Sequence, residues 1–121
     1  MREPQTVLIV DDDPQILRLV QKMLGARKVN VLVAPLPSAA LEICERQPVD
    51  LLISDIAMPE MDGIKLTERV LKLQPGTQVL LISGAAKDAP ILSKSRRVRF
   101  LRKPFFPAQL IECLHELLPG A

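Results

Sequence analysis

The chain has 121 residues, of which 48% are hydrophobic and 25% charged, and its formal net charge is +2. That length suits one domain with a real core, and the composition excludes a fibrous, coiled-coil or disordered chain. Apolar runs such as Val7 to Val10 are far too short to span a bilayer, Met1-Arg2-Glu3-Pro4 carries no secretory signal, and a charge this close to neutral argues against direct nucleic-acid binding.

Short β-branched runs alternate with helical patterns, as in βαβ units built around a parallel sheet. The first strand is predicted at Thr6–Val10, followed by a helix over Pro14–Ala26 that Asp13 caps and that Ile16, Val20, Met23 and Leu24 anchor. Asn30–Ala34 reads as the second strand, and the next helix runs from about Ser38 to Gln47, stopping before Pro48. The third strand, Leu51–Ser54, leads to a helix over Gly63–Leu73 with Asp62 as its cap and Pro75-Gly76 beyond its end. Gln78–Ile82 is the fourth strand and Val98–Leu101 a shorter fifth that begins among charged residues. The last helix has the clearest pattern, because Leu110, Ile111, Leu114, Leu117 and Leu118 fall on one face after Pro107.

Between Gly84 and Arg99 a fourth helix is expected, but Pro90 limits where it begins, Ile91 and Leu92 are its main apolar residues and no glycine ends it. It should be short or irregular. Between Lys87 and Lys103, Lys87, Lys94, Arg96, Arg97, Arg99, Arg102 and Lys103 stand against one acid, Asp88, which reads as a solvated basic face or as a surface for an acidic protein partner or nucleic acid. Cys44 and Cys113 read as thiols at core edges, with no Cys-x-x-Cys spacing or clustered histidine to suggest a disulfide or metal pair. Residues 1–121 are therefore expected to form a single cytoplasmic domain, with Pro119-Gly120-Ala121 a tail that resembles the start of a linker.

Open parallel sheets gather their functional groups beyond the carboxyl ends of the strands. Asp11, Asp12 and Asp13 follow the first strand, Asp55 ends the third, Ser83 the fourth and Lys103 the fifth. In a flavodoxin-like strand order, 2-1-3-4-5, the first and third strands are neighbours, so Asp11 and Asp12 meet Asp55 in one cleft. Carboxylates that close need a cation, and an all-oxygen ligand set without histidine or thiolate selects Mg²⁺ over zinc. Asp55 is then a carboxylate nucleophile toward phosphorus, while Asp13 reads as a helix cap.

The residues at this point resemble the receiver domains of bacterial two-component response regulators. Val7-Leu8-Ile9-Val10-Asp11-Asp12-Asp13-Pro14 is similar to that family's acidic first motif, and Asp50 to Gly63, with Ser54-Asp55-Ile56-Ala57-Met58-Pro59 at its centre, to its phosphorylation segment. Ser83-Gly84-Ala85 and Lys103-Pro104-Phe105 complete the set in order along nearly the whole chain. The resemblance implies a doubly wound five-stranded α/β fold with helices on both faces and Asp55 as the phosphoacceptor. It implies Mg²⁺, or Mn²⁺ in its place, held by Asp12, Asp55 and the Ala57 backbone carbonyl, and by Asp11 through a water. Ser83 and Lys103 would bind the phosphoryl group, Phe100 would be the aromatic switch residue, and Pro59 and a cis Pro104 would shape their loops. The donor would be a sensor histidine kinase or a histidine phosphotransfer protein. The chain would be a switch rather than an enzyme, with at most self-phosphorylation and self-dephosphorylation, and a homodimer would use the face of the fourth helix, fifth strand and last helix.

Other classes fit less well. A haloacid-dehalogenase-type phosphatase would want a threonine near its paired aspartates, where Pro14 stands, and a flavodoxin-like flavin carrier would want a phosphate loop where three acids repel phosphate. A receiver-fold interaction module that works without phosphorylation is the alternative, and the intact Asp55, Asp12, Ser83 and Lys103 weigh against it.

Overall fold

The computed structural model describes residues 4–84 and 98–119. Its sheet is five-stranded, with β1 Gln5–Val10, β2 Val29–Ala34, β3 Leu51–Asp55, β4 Gln78–Ser83 and β5 Val98–Arg102 in the order β2-β1-β3-β4-β5. Every neighbouring pair is parallel. The helices among the described residues are α1 Pro14–Gly25, α2 Pro37–Arg46, α3 Gly63–Leu73 and α4 Pro107–Leu117. This is the flavodoxin-like arrangement expected from the alternating pattern. The expected fourth helix, and the basic cluster from Lys87 to Arg97, lie outside the described residues. Among the described residues no helix is long and apolar enough to cross a membrane.

Successive strand side chains point to opposite faces, which divides the core in two. Val7, Ile9, Leu51, Ile53, Leu80 and Ile82 face α1 and α4, where Val20, Leu24, Leu110 and Leu114 meet them. Leu8, Val10, Leu52, Val79 and Leu81 face α2 and α3, where Ala40, Cys44, Leu66 and Val70 lie. Burial on both faces explains why the middles of β1, β3 and β4 are near-continuous apolar runs, whereas the edge strand β2 leaves Asn30 and Val33 exposed. Cys44 and Cys113 are free, buried and on opposite sides of the sheet, so they act as small apolar side chains. Burial pushes the Cys44 thiol up to about 11, which keeps it protonated and inert.

Polar side chains fix the ends of these elements. Asp13 Oδ1 accepts from the Gln15 N–H at 2.9 Å and Asp62 Oδ1 from the Lys65 N–H at 2.8 Å, the two caps expected for α1 and α3. At the amino ends of the strands, the Thr6 N–H donates to Asp50 at 2.7 Å. The Gln74 side chain accepts from the Val49 N–H and donates to the Cys44 and Gln47 carbonyls, closing that end around buried Thr77. The opposite end is left for chemistry.

One contact ties α3 to β3 at that chemical end. The Gly63 N–H donates to the Ile56 carbonyl at 2.8 Å, and a Cβ on Gly63 would stand 2.3 Å from the Asp55 carbonyl oxygen. No side chain fits there without shifting backbone. We expect Gly63→Ala to destabilise the fold by about 3 kcal/mol in urea unfolding. Gly25→Ala, where nothing lies within 4 Å, should be neutral or stabilising by about 0.5 kcal/mol. Equal midpoints for the two variants would refute the close approach.

Candidate functional site

Strand register assembles the site. Val10 pairs with Ser54, so the next residues in line, Asp11 and Asp55, leave adjacent strands at the same level. Asp55 pairs with Ile82, which places Ser83 one step further along the neighbouring strand, and the Lys103 N–H donates to the Ser83 carbonyl at 2.9 Å. Carboxylate oxygens of Asp11, Asp12 and Asp55 lie within 4.8 Å of one another. Lys103 Nζ is 3.4 Å from Asp55 Oδ2 and 3.9 Å from Asp11 Oδ2. The four residues singled out from the strand ends thus share one cleft.

Their surroundings differ. Asp11 is 2% exposed, Asp55 is half-buried and Asp12 faces solvent. Asp11 Oδ1 accepts from the Asp13 N–H at 2.9 Å, which fixes its orientation. Burial raises the Asp11 carboxyl above its ordinary value, and the charges of Asp55 and Asp12 push in the same direction against that hydrogen bond and Lys103. Two unit charges at such a separation repel by about 3 kcal/mol at an effective dielectric of about 20, and by less where water reaches Asp12. Among the described residues, one lysine against three carboxylates leaves the cleft negative, and hard oxygen donors in that number and spacing suit a hard divalent cation.

The remaining residues named from the sequence surround this centre. Ser83 is buried at the end of β4, Ala57 and Pro59 are exposed in the loop after β3, and Lys103–Pro104 is a cis peptide. Phe100 is half-buried and packs with the core that faces α2 and α3. Beside Lys103, Ile16 and Leu19 of α1 join Pro104 and Phe105 in an open apolar groove of about 440 Å³. Two residues escaped the sequence reading in their actual roles. Gly63 signals a helix start but not its contact with Asp55, and Glu60 holds the first turn of α2 from 22 residues away.

A raised carboxyl pKa means that the folded chain binds the Asp11 proton more tightly than the unfolded chain does. Stability therefore falls as pH rises from about 3.8 through the folded value, and at neutral pH the ionised group opposes folding. Asp11→Asn keeps an oxygen for the Asp13 N–H and removes the charge. Without metal at pH 7 we expect it to raise the thermal midpoint by about 3 °C, a gain that shrinks as pH falls toward 3.8. A lower midpoint than wild type at pH 7 would contradict this balance of charges.

Comparison with known proteins agrees with this geometry. The family model described as response regulator receiver domain matches residues 7–115. The transcriptional regulatory protein GlrR of Escherichia coli is 34% identical over 118 residues, which are 96% of this chain and 27% of that protein. The chain thus spans about a quarter of that relative's length. The response regulator receiver protein CpdR of Brucella abortus is 32% identical, with 95% of this chain and 98% of that one covered. Among solved structures, the signal receiver domain of an HD domain-containing protein from Pseudomonas fluorescens superimposes with a TM-score of 0.87 at 27% identity, covering 98% of this chain and 89% of that one. The acidic cleft at the carboxyl edge of a flavodoxin-like sheet, together with a family match across most of the sequence, leads to one conclusion: the chain belongs to the response regulator receiver domains of two-component signalling.

Proposed function

We propose that the chain is a phosphoacceptor switch in which Asp55 takes a phosphoryl group from a phosphohistidine on a sensor histidine kinase or a histidine phosphotransfer protein. The observation that carries this reading is the cleft itself, with Asp11, Asp12 and Asp55 oxygens within 4.8 Å of one another and Lys103 Nζ 3.4 Å from Asp55. Asp12, Asp55 and the Ala57 carbonyl would hold Mg²⁺ or Mn²⁺, with Asp11 acting through a water. The bound cation would neutralise phosphoryl oxygens and screen the carboxylates from one another.

The chain's own residues do the rest. An Asp55 oxygen forms the bond to phosphorus as the bond from phosphorus to the donor nitrogen breaks, giving an acyl phosphate. Lys103, 3.4 Å from Asp55, would pair with the transferred group, and Ser83, at the end of the adjacent strand, would donate a hydrogen bond to it. β3 and β5 hold Asp55 and Lys103 from a rigid sheet, so transfer relies on positioning more than on acid or base work. Added charge at Asp55 biases a two-state element, for which Phe100 on β5 is the side chain of choice, and the output face includes β5 and α4. A homodimer or an acidic protein partner would read that face. Self-phosphorylation from small donors and self-dephosphorylation would be the chain's own activities.

Intact mass after mixing with a small phosphodonor tests the reading. Wild type should gain one phosphoryl group only when Mg²⁺ is present, and Asp55→Asn should gain none. Asp12→Ala removes a ligand and leaves the nucleophile, so Mg²⁺ affinity measured by titration should fall about 10-fold or more. Equal labelling of wild type and Asp55→Asn would displace the acceptor, and an unlabelled wild type would favour the interaction module that works without phosphorylation.

A further inference from the structure

The loop from Ile56 to Asp62 carries the Ala57 carbonyl and is fastened to the start of α2 through Glu60. Its turn is closed by the Met61 N–H donating to the Pro59 carbonyl at 2.8 Å, with Glu60 between them at φ 71°. A hydrogen bond from a residue to one two positions earlier, around a centre of positive φ, marks a γ-turn of the strained kind. A residue with a Cβ has no local reason to sit there, since glycine would do so freely.

The Glu60 side chain supplies the missing reason. Its Oε1 accepts from the Ser38 N–H at 2.9 Å and its Oε2 from the Ser38 hydroxyl at 3.1 Å. Helix α2 has Leu36 at its N-cap, which makes no side-chain cap bond, and Pro37 offers no N–H. The Ser38 amide is therefore the first free donor of α2, and a carboxylate there is favoured by both the hydrogen bonds and the helix dipole. The strained turn persists because its side chain is clasped to a second element.

We propose that Glu60 is a positioning residue for cation binding: its clasp onto the start of α2 holds the loop in the shape that presents the Ala57 carbonyl to the cleft. The proposal rests on the reading of Asp11, Asp12, Asp55 and Ala57 as a Mg²⁺ site. With the clasp gone, the loop must be ordered at the moment of metal binding, and that cost appears as weaker affinity. α2, which contributes no ligand, thereby becomes part of the metal site's support.

The test compares Mg²⁺ affinity, by titration on the full chain, for wild type, Glu60→Gly and Glu60→Gln. Glycine accepts the positive φ without strain, so Glu60→Gly removes the clasp alone. It should bind Mg²⁺ about 5-fold more weakly, the equivalent of one lost capping interaction. Glu60→Gln keeps an oxygen for the Ser38 N–H and should stay within about 2-fold of wild type. Amide exchange at Ser38 and Ala39 should quicken in the glycine variant. A role confined to capping α2 would quicken that exchange and lower the unfolding midpoint with Mg²⁺ affinity unchanged, and this result would overturn the proposal. If wild type itself binds no Mg²⁺, the underlying site assignment falls and the clasp proposal with it. Wild-type binding with an unaltered Glu60→Gly affinity overturns the clasp alone.

Discussion

Mutual repulsion among Asp11, Asp12 and Asp55 is the constraint that the rest of the structure answers to. Nothing in a relaxed chain would bring three carboxylates within 4.8 Å of one another, and Lys103 offsets part of that charge at most. The parallel sheet enforces it. β1 and β3 are locked side by side by backbone pairing from Val7–Leu51 to Val10–Ser54, and the two acids leave that ladder where the pairing ends. Leu8, Ile9, Leu52 and Ile53, almost wholly buried on the two faces of those strands, supply the stabilisation against which the repulsion works. The cleft is an unfavourable local arrangement held by favourable burial elsewhere.

The same division of labour separates the two ends of the sheet. At the amino ends, polar groups satisfy one another: Asp50 with Thr6, Gln74 with three backbone groups, Thr77 with the Val49 carbonyl at 2.7 Å. Those bonds close the end and leave few groups for chemistry. At the carboxyl ends the hydrogen bonds instead shape the connecting loops, as Asp11 does for Asp13, Asp62 for α3 and Glu60 for α2. Charged oxygens that are not consumed in those contacts face the cleft.

Most of this was legible in the sequence, for identifiable reasons. β1, β3 and β4 are buried on both faces and so read as near-continuous apolar runs, and the stripe from Leu110 to Leu118 shows α4 because one helical face lies against the sheet. Asp13 and Asp62 announce the caps because the acceptor lies within three residues of its donor. The start of α2, expected at about Ser38 and found at Pro37, was legible, but its cap was not, since that carboxylate arrives from Glu60 across the fold. Gly63 fails for a related reason: its contact is with the Asp55 backbone, and no pattern of neighbouring side chains encodes an approach between two main chains. Asp11, Asp12, Asp55 and Lys103 were legible as a group because strand ends in a parallel sheet converge whatever lies between them in sequence.

Exposure around the cleft is graded, and the grading gives the site a direction. Asp11 is almost sealed, Asp55 is reached by solvent on one side, and Asp12 stands in the open. Water can screen Asp12 far better than Asp11, so the unfavourable energy of the acidic group is concentrated on the buried member, whose carboxyl burial pushes upward. A cation placed among the three carboxylates would relieve most of that cost at Asp11, the member that water screens least. Lys103 Nζ, 3.4 Å from Asp55 and 3.9 Å from Asp11, lies beside the groove of Ile16, Leu19, Pro104 and Phe105. On the proposed reading, a bound cation would relieve the repulsion centred on Asp11 and leave Lys103 to pair with the transferred group.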